Sequence, residues 1–118
     1  MQRFHSKEVS ASEDGDYFQI AFEEFAESED RPYLIVQRQF EDPDGDVCYV
    51  ETDDWEHSGH SRIRSARLER GRFVIEWSGS PEAAADVSFD IDDEAFAEVA
   101  RVLMIMVPTV RIEHGQKC

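Results

Sequence analysis

Residues 62–78 of the chain have the sequence RIRSARLERGRFVIEWS, and this stretch decides the fold that we expect. It predicts a β-hairpin that turns at Arg70-Gly71, because apolar residues alternate with polar ones after that pair. Glycine can adopt the positive φ that a two-residue turn demands, so Gly71 suits this position. One face of such a hairpin is buried, and its core residues are expected to be Leu68, Phe73, Ile75 and Trp77.

The start of the hairpin departs from the regular alternation of apolar and polar residues. Ile63 is out of phase with Ala66 and Leu68 in the two-residue period. We therefore predict a β-bulge near Ser65, or a strand that begins after it.

Three further strands are predicted before the hairpin. The first begins at Tyr17 and alternates apolar and polar residues in the way a half-buried strand requires. The second, residues 33–40, is apolar on both faces at its start, which favours a central place in the sheet. The third covers residues 47–52, and the segment EDPDGD at 41–46 predicts the turn between the last two.

The C-terminal part predicts one more strand and one helix. Residues 86–91 alternate as a strand, and Asp92 is well placed to cap a helix that ends near Val107, before Pro108. The helix carries an apolar stripe that needs a sheet face to cover. The tail, 108–118, either adds a short edge strand at Val110 and Ile112 or frays.

These elements predict an α+β fold in a single domain, 1–118. Residues 17–91 would form an antiparallel β-meander of about six strands, with one C-terminal helix, 92–107, packed on a sheet face. Residues 1–16 are polar, and we expect a loose N-terminal arm. One helix covers only part of six strands, so the remaining face is polar, curled onto itself, or paired with another copy in a homodimer.

The chain is very acidic, with a net charge of −15 from 27 acidic and 12 basic residues. Such a charge argues against nucleic acid or an acidic membrane as the main partner and favours a basic protein. An alternative is that the acidity serves solubility alone, as in a salt-adapted organism.

The cysteine pattern and the termini predict a cytoplasmic protein. Cys48 and Cys118 do not form a disulfide framework, and two such residues without a signal peptide suggest free thiols in a reducing compartment. The N-terminal segment has no apolar core of the signal-peptide type, and the longest apolar run is too short to span a bilayer.

No catalytic or cofactor motif is recognisable in the sequence. Glycine-rich phosphate loops, a GxSxG elbow, HExxH and CxxC are all absent. Asp42, Asp44 and Asp46 resemble a calcium loop superficially, but the spacing favours a turn. We therefore assign no catalytic residue, no metal and no cofactor.

The loop at 53–61 is the predicted partner-binding segment. It has the sequence DDWEHSGHS, in which a large aromatic side chain stands among acidic ones. Tryptophan is enriched in interface hot spots, although it more often caps the edge of a core. The candidate binding residues are Asp53, Asp54, Trp55, Glu56 and His57. A second hypothesis is a metal-binding or enzymatic accessory domain that uses His57 and His60.

Five of the ten arginines lie between Arg62 and Arg72, which makes the hairpin a basic island. We interpret four of them, Arg62, Arg64, Arg67 and Arg72, as cross-strand partners of Glu51, Glu69 and Glu76 rather than as a nucleic-acid patch.

The chain over about residues 33–106 resembles a family of bacterial immunity proteins, the tenth such family described for polymorphic toxin systems. The resemblance is carried by YLIVQRQF (33–40), VCYVETDDWEHSG (47–59), SARLERGRFVIEW (65–77) and SPEAAADVSFDI (80–91) before the final helix. It covers about two-thirds of the chain. It implies a non-catalytic protein that binds one bacterial toxin tightly and so protects the producing cell. An acidic binder suits a basic toxin domain.

Overall fold

The computed structural model describes residues 2–23, 33–39, 47–52, 58–77 and 83–113. Within these residues the chain forms ten strands and one helix. In chain order they are β1 Gln2–Ser6, β2 Glu8–Asp14, β3 Tyr17–Glu23, β4 Tyr33–Gln39, β5 Cys48–Thr52, β6 Gly59–Ser61, β7 Ile63–Glu69, β8 Arg72–Trp77, β9 Ala84–Phe89, α1 Asp93–Met106 and β10 Arg111–Ile112.

The strands form two five-stranded sheets. One has the order β2-β3-β4-β5-β6 with every neighbouring pair antiparallel, and we call it the meander sheet. The other has the order β1-β9-β8-β7-β10, with β1 and β10 parallel to their neighbours, and we call it the mixed sheet. The α+β class is confirmed, whereas the single six-stranded meander that the sequence predicted does not form.

The expectation of a loose N-terminal arm at 1–16 is wrong, because residues 2–14 supply one strand to each sheet. β1 pairs with β9, and β2 forms a hairpin with β3 through a turn at Gly15, whose φ is +63°. The chain crosses between the sheets at Lys7, whose backbone N–H donates to Glu23 O at 2.9 Å. Both strands lie at sheet edges, where polar residues are tolerated.

The core lies between the two sheets and the helix. The inner faces of β3, β4 and β5 meet those of β7, β8 and β9, and Trp77, at 1% exposure, is buried as predicted. The largest fully buried side chains are Trp77, Phe22, Phe73, Ile20, Leu34, Leu68, Ile75, Leu103, Met106, Val36, Val50 and Val87.

The helix has the predicted ends. Asp92 is the N-cap, and its carboxylate accepts a hydrogen bond of 2.7 Å from the backbone N–H of Ala95. At the other end Arg38 Nη1 donates to Met106 O at 2.7 Å, which ties the last turn to β4. Near the start, Arg70 lies 2.7 Å from Asp93 and 5.3 Å from the Phe96 ring centre, so the helix also contacts the β7–β8 turn.

The hairpin turn at Arg70-Gly71 is confirmed, but the reason for the glycine is different. Gly71 does not take a positive φ. A Cβ atom there would lie 3.2 Å from Phe89 O, and Phe89 N–H donates to Gly71 O at 3.0 Å. Close approach of β9 therefore favours glycine at this position. The predicted bulge is present as a register shift between Ile63 and Ser65.

The other predicted strands are found with small changes. β3, β4 and β5 match their predicted ranges within one residue, and β4 is central in its sheet. The strand predicted at 86–91 covers Ala84–Phe89, and the tail pairs with β7 through Arg111 and Ile112. The turn predicted at 41–46 lies outside the described residues.

Candidate partner-binding face

The outer face of the meander sheet, on the side away from the core, gathers all three tyrosines of the chain. Side chains alternate between the two faces of a strand. Phe18, Leu34 and Val50 are buried in the core, so the tyrosine that directly precedes each of them points to the outer face. We define the tyrosine face as the residues Tyr17, Gln19, Tyr33, Ile35, Gln37, Tyr49, Glu51 and His60.

One row across this face links four strands. The register places Gln19 beside Gln37, Gln37 beside Tyr49, and Tyr49 beside His60. Gln37 Nε2 donates to Gln19 Oε1 at 2.7 Å, and the Tyr17 hydroxyl donates to the same oxygen at 2.9 Å. The rings of Tyr49 and His60 are 5.2 Å apart between centres. These contacts hold the side chains in place before any partner arrives.

A second row is centred on Glu51. The hydroxyl of Tyr33 donates to Glu51 Oε2 at 2.7 Å, and the hydroxyl of Tyr49 donates to Glu51 Oε1 at 2.8 Å. The hydrogen bond to this carboxylate raises the pKa of Tyr49 above its ordinary value, with burial as the next cause. The Tyr49 hydroxyl is therefore a hydrogen-bond donor near neutral pH. Each oxygen of the Glu51 carboxylate accepts a hydrogen bond from one tyrosine.

At the described strand positions, the charge on the outer face of the meander sheet is of one sign. On the outer face of β2–β6 the acidic side chains are Glu8, Asp14, Glu23 and Glu51, while the outward positions of these strands carry no lysine or arginine. A surface of this kind attracts a positively charged partner and repels a phosphate backbone.

The outer face of the mixed sheet is different, because arginines and carboxylates are paired on it. Arg72 donates to both carboxylate oxygens of Asp86, at 2.8 and 2.6 Å, and Arg3 lies 3.7 Å away. The hydrogen bonds from Arg72 lower the pKa of Asp86 below its ordinary range, against the opposing effect of burial. This face carries mixed charge instead of a single sign.

Three of the five hairpin arginines have carboxylate partners among the described residues. Only one of these partners, Glu69, is among those predicted, and it lies on the same strand as its arginine and not across from it. Arg67 lies 3.0 Å from Glu69, whereas Arg70 and Arg72 contact Asp93 and Asp86. Glu51 is on the other sheet, where it accepts hydrogen bonds from tyrosines.

The predicted binding residues Asp53, Asp54, Trp55, Glu56 and His57 lie outside the described residues. The residues that flank them, Thr52 and Ser58, are joined by a hydrogen bond of 3.1 Å from Thr52 N–H to Ser58 Oγ. Residues 59–61, which we predicted as the end of the loop, form the strand β6. His60 on this strand is exposed on the tyrosine face.

The sequence patterns did not identify Tyr33, Tyr49 or Glu51 as site residues. The signal was present in the alternation: polar or aromatic residues occupy alternate positions at 17 and 19 and at 49 and 51, and Tyr33 and Gln37 share one phase with Ile35 between them. Only the strand register shows that these positions meet on one face.

Within the described part of the chain, no group of three or more histidine, cysteine, aspartate or glutamate side chains is arranged to hold a metal ion. Since His57 is outside that part, the hypothesis of a site built on His57 and His60 stays a prediction. Cys48 is buried and is not in a disulfide.

Comparisons with protein-family models, with curated proteins and with solved structures found no match. In the described residues no helix is both long enough and apolar enough to cross a bilayer.

Proposed function

We propose that this chain is a non-catalytic binding protein of the immunity type, which neutralises a bacterial toxin in the cytoplasm of the producing cell by tight protein–protein binding. The partner we propose is a basic toxin domain. The contact surface is the tyrosine face together with the adjoining segment at 53–57.

The observation that carries this proposal is the ordered tyrosine face. Tyrosines give large, rigid contact areas at a low cost in side-chain entropy, which is why they are frequent in antibody combining sites and interface hot spots. Here the hydroxyls of Tyr17, Tyr33 and Tyr49 are already held by Gln19 and Glu51. A surface fixed in advance loses less entropy when it binds.

The sign of the charge supports a basic partner. The chain carries −15 overall, and the outer face of the meander sheet adds no cation of its own on β2–β6. Opposite charge accelerates encounter and aligns the partners, whereas like charge opposes the stacking of two copies of this face. The charge therefore favours a different, basic protein over a homodimer through the tyrosine face.

Growth protection and complex formation with one toxin domain test the proposal. The proposal predicts a toxin gene immediately upstream of the gene for this chain, and the probe is the C-terminal domain of that toxin. We expect co-expression of the chain to restore growth of cells that make this domain, and a complex of one chain with one toxin domain to elute as a single species. Purified chain that neither binds the domain nor restores growth would rule the proposal out.

Two other hypotheses make different predictions in the same experiments. A domain that is acidic for solubility alone should not bind the toxin domain, and its stability should rise steadily into molar salt. A metal-binding domain should show shifts of the His57 and His60 resonances at stoichiometric zinc. Neither outcome is expected from an immunity-type binder.

A further inference from the structure

We infer that Glu51 is the anchor of the tyrosine face and that it receives an arginine side chain of the partner. This inference rests on the proposed function and specifies the chemistry that the binding surface recognises. The guanidinium group would bond the Glu51 carboxylate while lying against the tyrosine rings beside it.

The hydrogen bonds at Glu51 leave room for a cation. An ionised carboxylate has about four acceptor positions, and the hydroxyls of Tyr33 and Tyr49 use one on each oxygen. Among the described residues no other donor is recorded at Glu51, so one position on each oxygen remains, which matches the two parallel N–H donors of a guanidinium group. Because both oxygens already have a partner, the carboxylate does not need to reorient when the cation arrives.

The surroundings strengthen an ion pair at this position. Glu51 is partly buried, and the register places Ile35 directly beside it on the same face. Apolar and aromatic neighbours exclude water, so a charge pair here is screened less than one on an open surface. A cation over Tyr33 or Tyr49 also gains the attraction of the ring face.

These features favour arginine over lysine. The guanidinium group is planar, stacks on aromatic rings and bonds a carboxylate through two donors at once, whereas an ammonium group is a compact, strongly hydrated point charge. Glu8, by comparison, is an exposed carboxylate on β2 of the same sheet face and lies opposite Glu23, with no tyrosine directly across from it. Glu8 therefore provides a matched control for charge alone.

Titration of the isotope-labelled full chain with short peptides at low salt tests this inference without a toxin. Tetra-arginine should shift the side-chain resonances of Tyr33, Tyr49 and Glu51, and it should bind more tightly than tetra-lysine, while tetra-glutamate should cause no shift. The Glu51→Gln variant should weaken the binding of tetra-arginine by roughly tenfold or more, because it removes a charged hydrogen-bond acceptor. Glu8→Gln, which removes the same charge, should change it little.

A second variant guards against a folding defect in Glu51→Gln. Tyr33→Phe keeps the charge of Glu51 and removes one fixed hydrogen bond, so it should weaken tetra-arginine binding less than Glu51→Gln does. Equal binding of tetra-lysine, resonance shifts centred elsewhere, or equal losses in the Glu8 and Glu51 variants would each overturn the inference. Failure of the toxin assay with a successful peptide titration would instead count against the proposed function alone.

Discussion

The ring of Phe22 on the meander sheet stacks on the ring of Phe73 on the mixed sheet, with centres 5.2 Å apart and planes inclined by 14°. Both side chains are fully buried, and Phe89 lies 5.6 Å from the same Phe22 ring. This contact joins the two sheets through their inner faces. The tyrosine face is consequently the opposite side of a sheet whose inner side is fixed in the core.

Truncation of the stack should destabilise the whole fold. We expect Phe73→Ala to lower the free energy of unfolding by about 3–5 kcal/mol, since it leaves a large cavity between the sheets. Urea unfolding followed by tryptophan fluorescence measures this change. Met104→Ala is the control, because Met104 is 55% exposed and its loss should cost within about 0.5 kcal/mol. Similar small losses in both variants would mean that the sheets do not pack in this way.

The helix cap makes a separate prediction. Asp92→Ala removes the acceptor for the backbone N–H of Ala95 and should lower the free energy of unfolding by about 1 kcal/mol. Asp92→Asn should recover most of this loss, because asparagine caps a helix about as well as aspartate. Thermal unfolding of the three proteins gives the comparison, and an Asn variant no better than the Ala variant would contradict the cap.

Asp86 should make stability depend on pH in the acidic range. Arg72 lowers the pKa of Asp86 in the folded protein. The ionised Asp86 therefore stabilises the fold at pH values above the ordinary pKa of 3.8, and this contribution is lost as the pH falls through the lowered pKa. Asp86→Asn should therefore reduce stability at neutral pH and flatten the dependence below about pH 4. The measurement is urea unfolding at several pH values. Asp90→Asn, an exposed carboxylate just after β9, is the control and should keep the dependence of the wild type.

Tyr49 should ionise at a higher pH than an ordinary tyrosine. Its hydroxyl donates to Glu51, and ionisation would place a phenolate beside that carboxylate, which raises the pKa above 10.0. We expect Glu51→Gln to bring the midpoint back toward 10.0. Carbon-13 NMR of the tyrosine rings as a function of pH measures each tyrosine separately. An unchanged midpoint for Tyr49 in the variant would show that this hydrogen bond is absent in solution.

Sequence patterns predicted the local elements better than their arrangement. The hairpin, the buried Trp77, the cap at Asp92 and the bulge before Ser65 each depend on neighbouring residues, and all four are found. The strands at 2–14 were missed because edge strands can be polar, and the segment EVSASED has only two apolar residues. The pairing of β1 with β9 joins residues more than eighty positions apart, which no local pattern encodes.

The candidate site was harder to predict for the same reason. Tyr17, Tyr33 and Tyr49 come from three separate strands, and period-two alternation shows only that each one faces away from its apolar neighbours. Their association depends on the register, which places Gln19, Gln37 and Tyr49 in one row. The prediction for residues 53–57 depended on composition alone, and it remains a prediction.

The most direct test of the tyrosine face as the toxin-binding surface compares two matched variants by isothermal titration calorimetry. Tyr49→Ala and Val74→Ala each truncate a partly buried residue at an outward position, one on each sheet. Against the proposed partner, the C-terminal domain of a toxin that we expect to be encoded immediately upstream, Tyr49→Ala should raise Kd by roughly thirtyfold or more, as for an interface hot spot, and Val74→Ala should leave it nearly unchanged. An unchanged Kd for Tyr49→Ala, or a larger loss for Val74→Ala, would contradict our account of the binding surface.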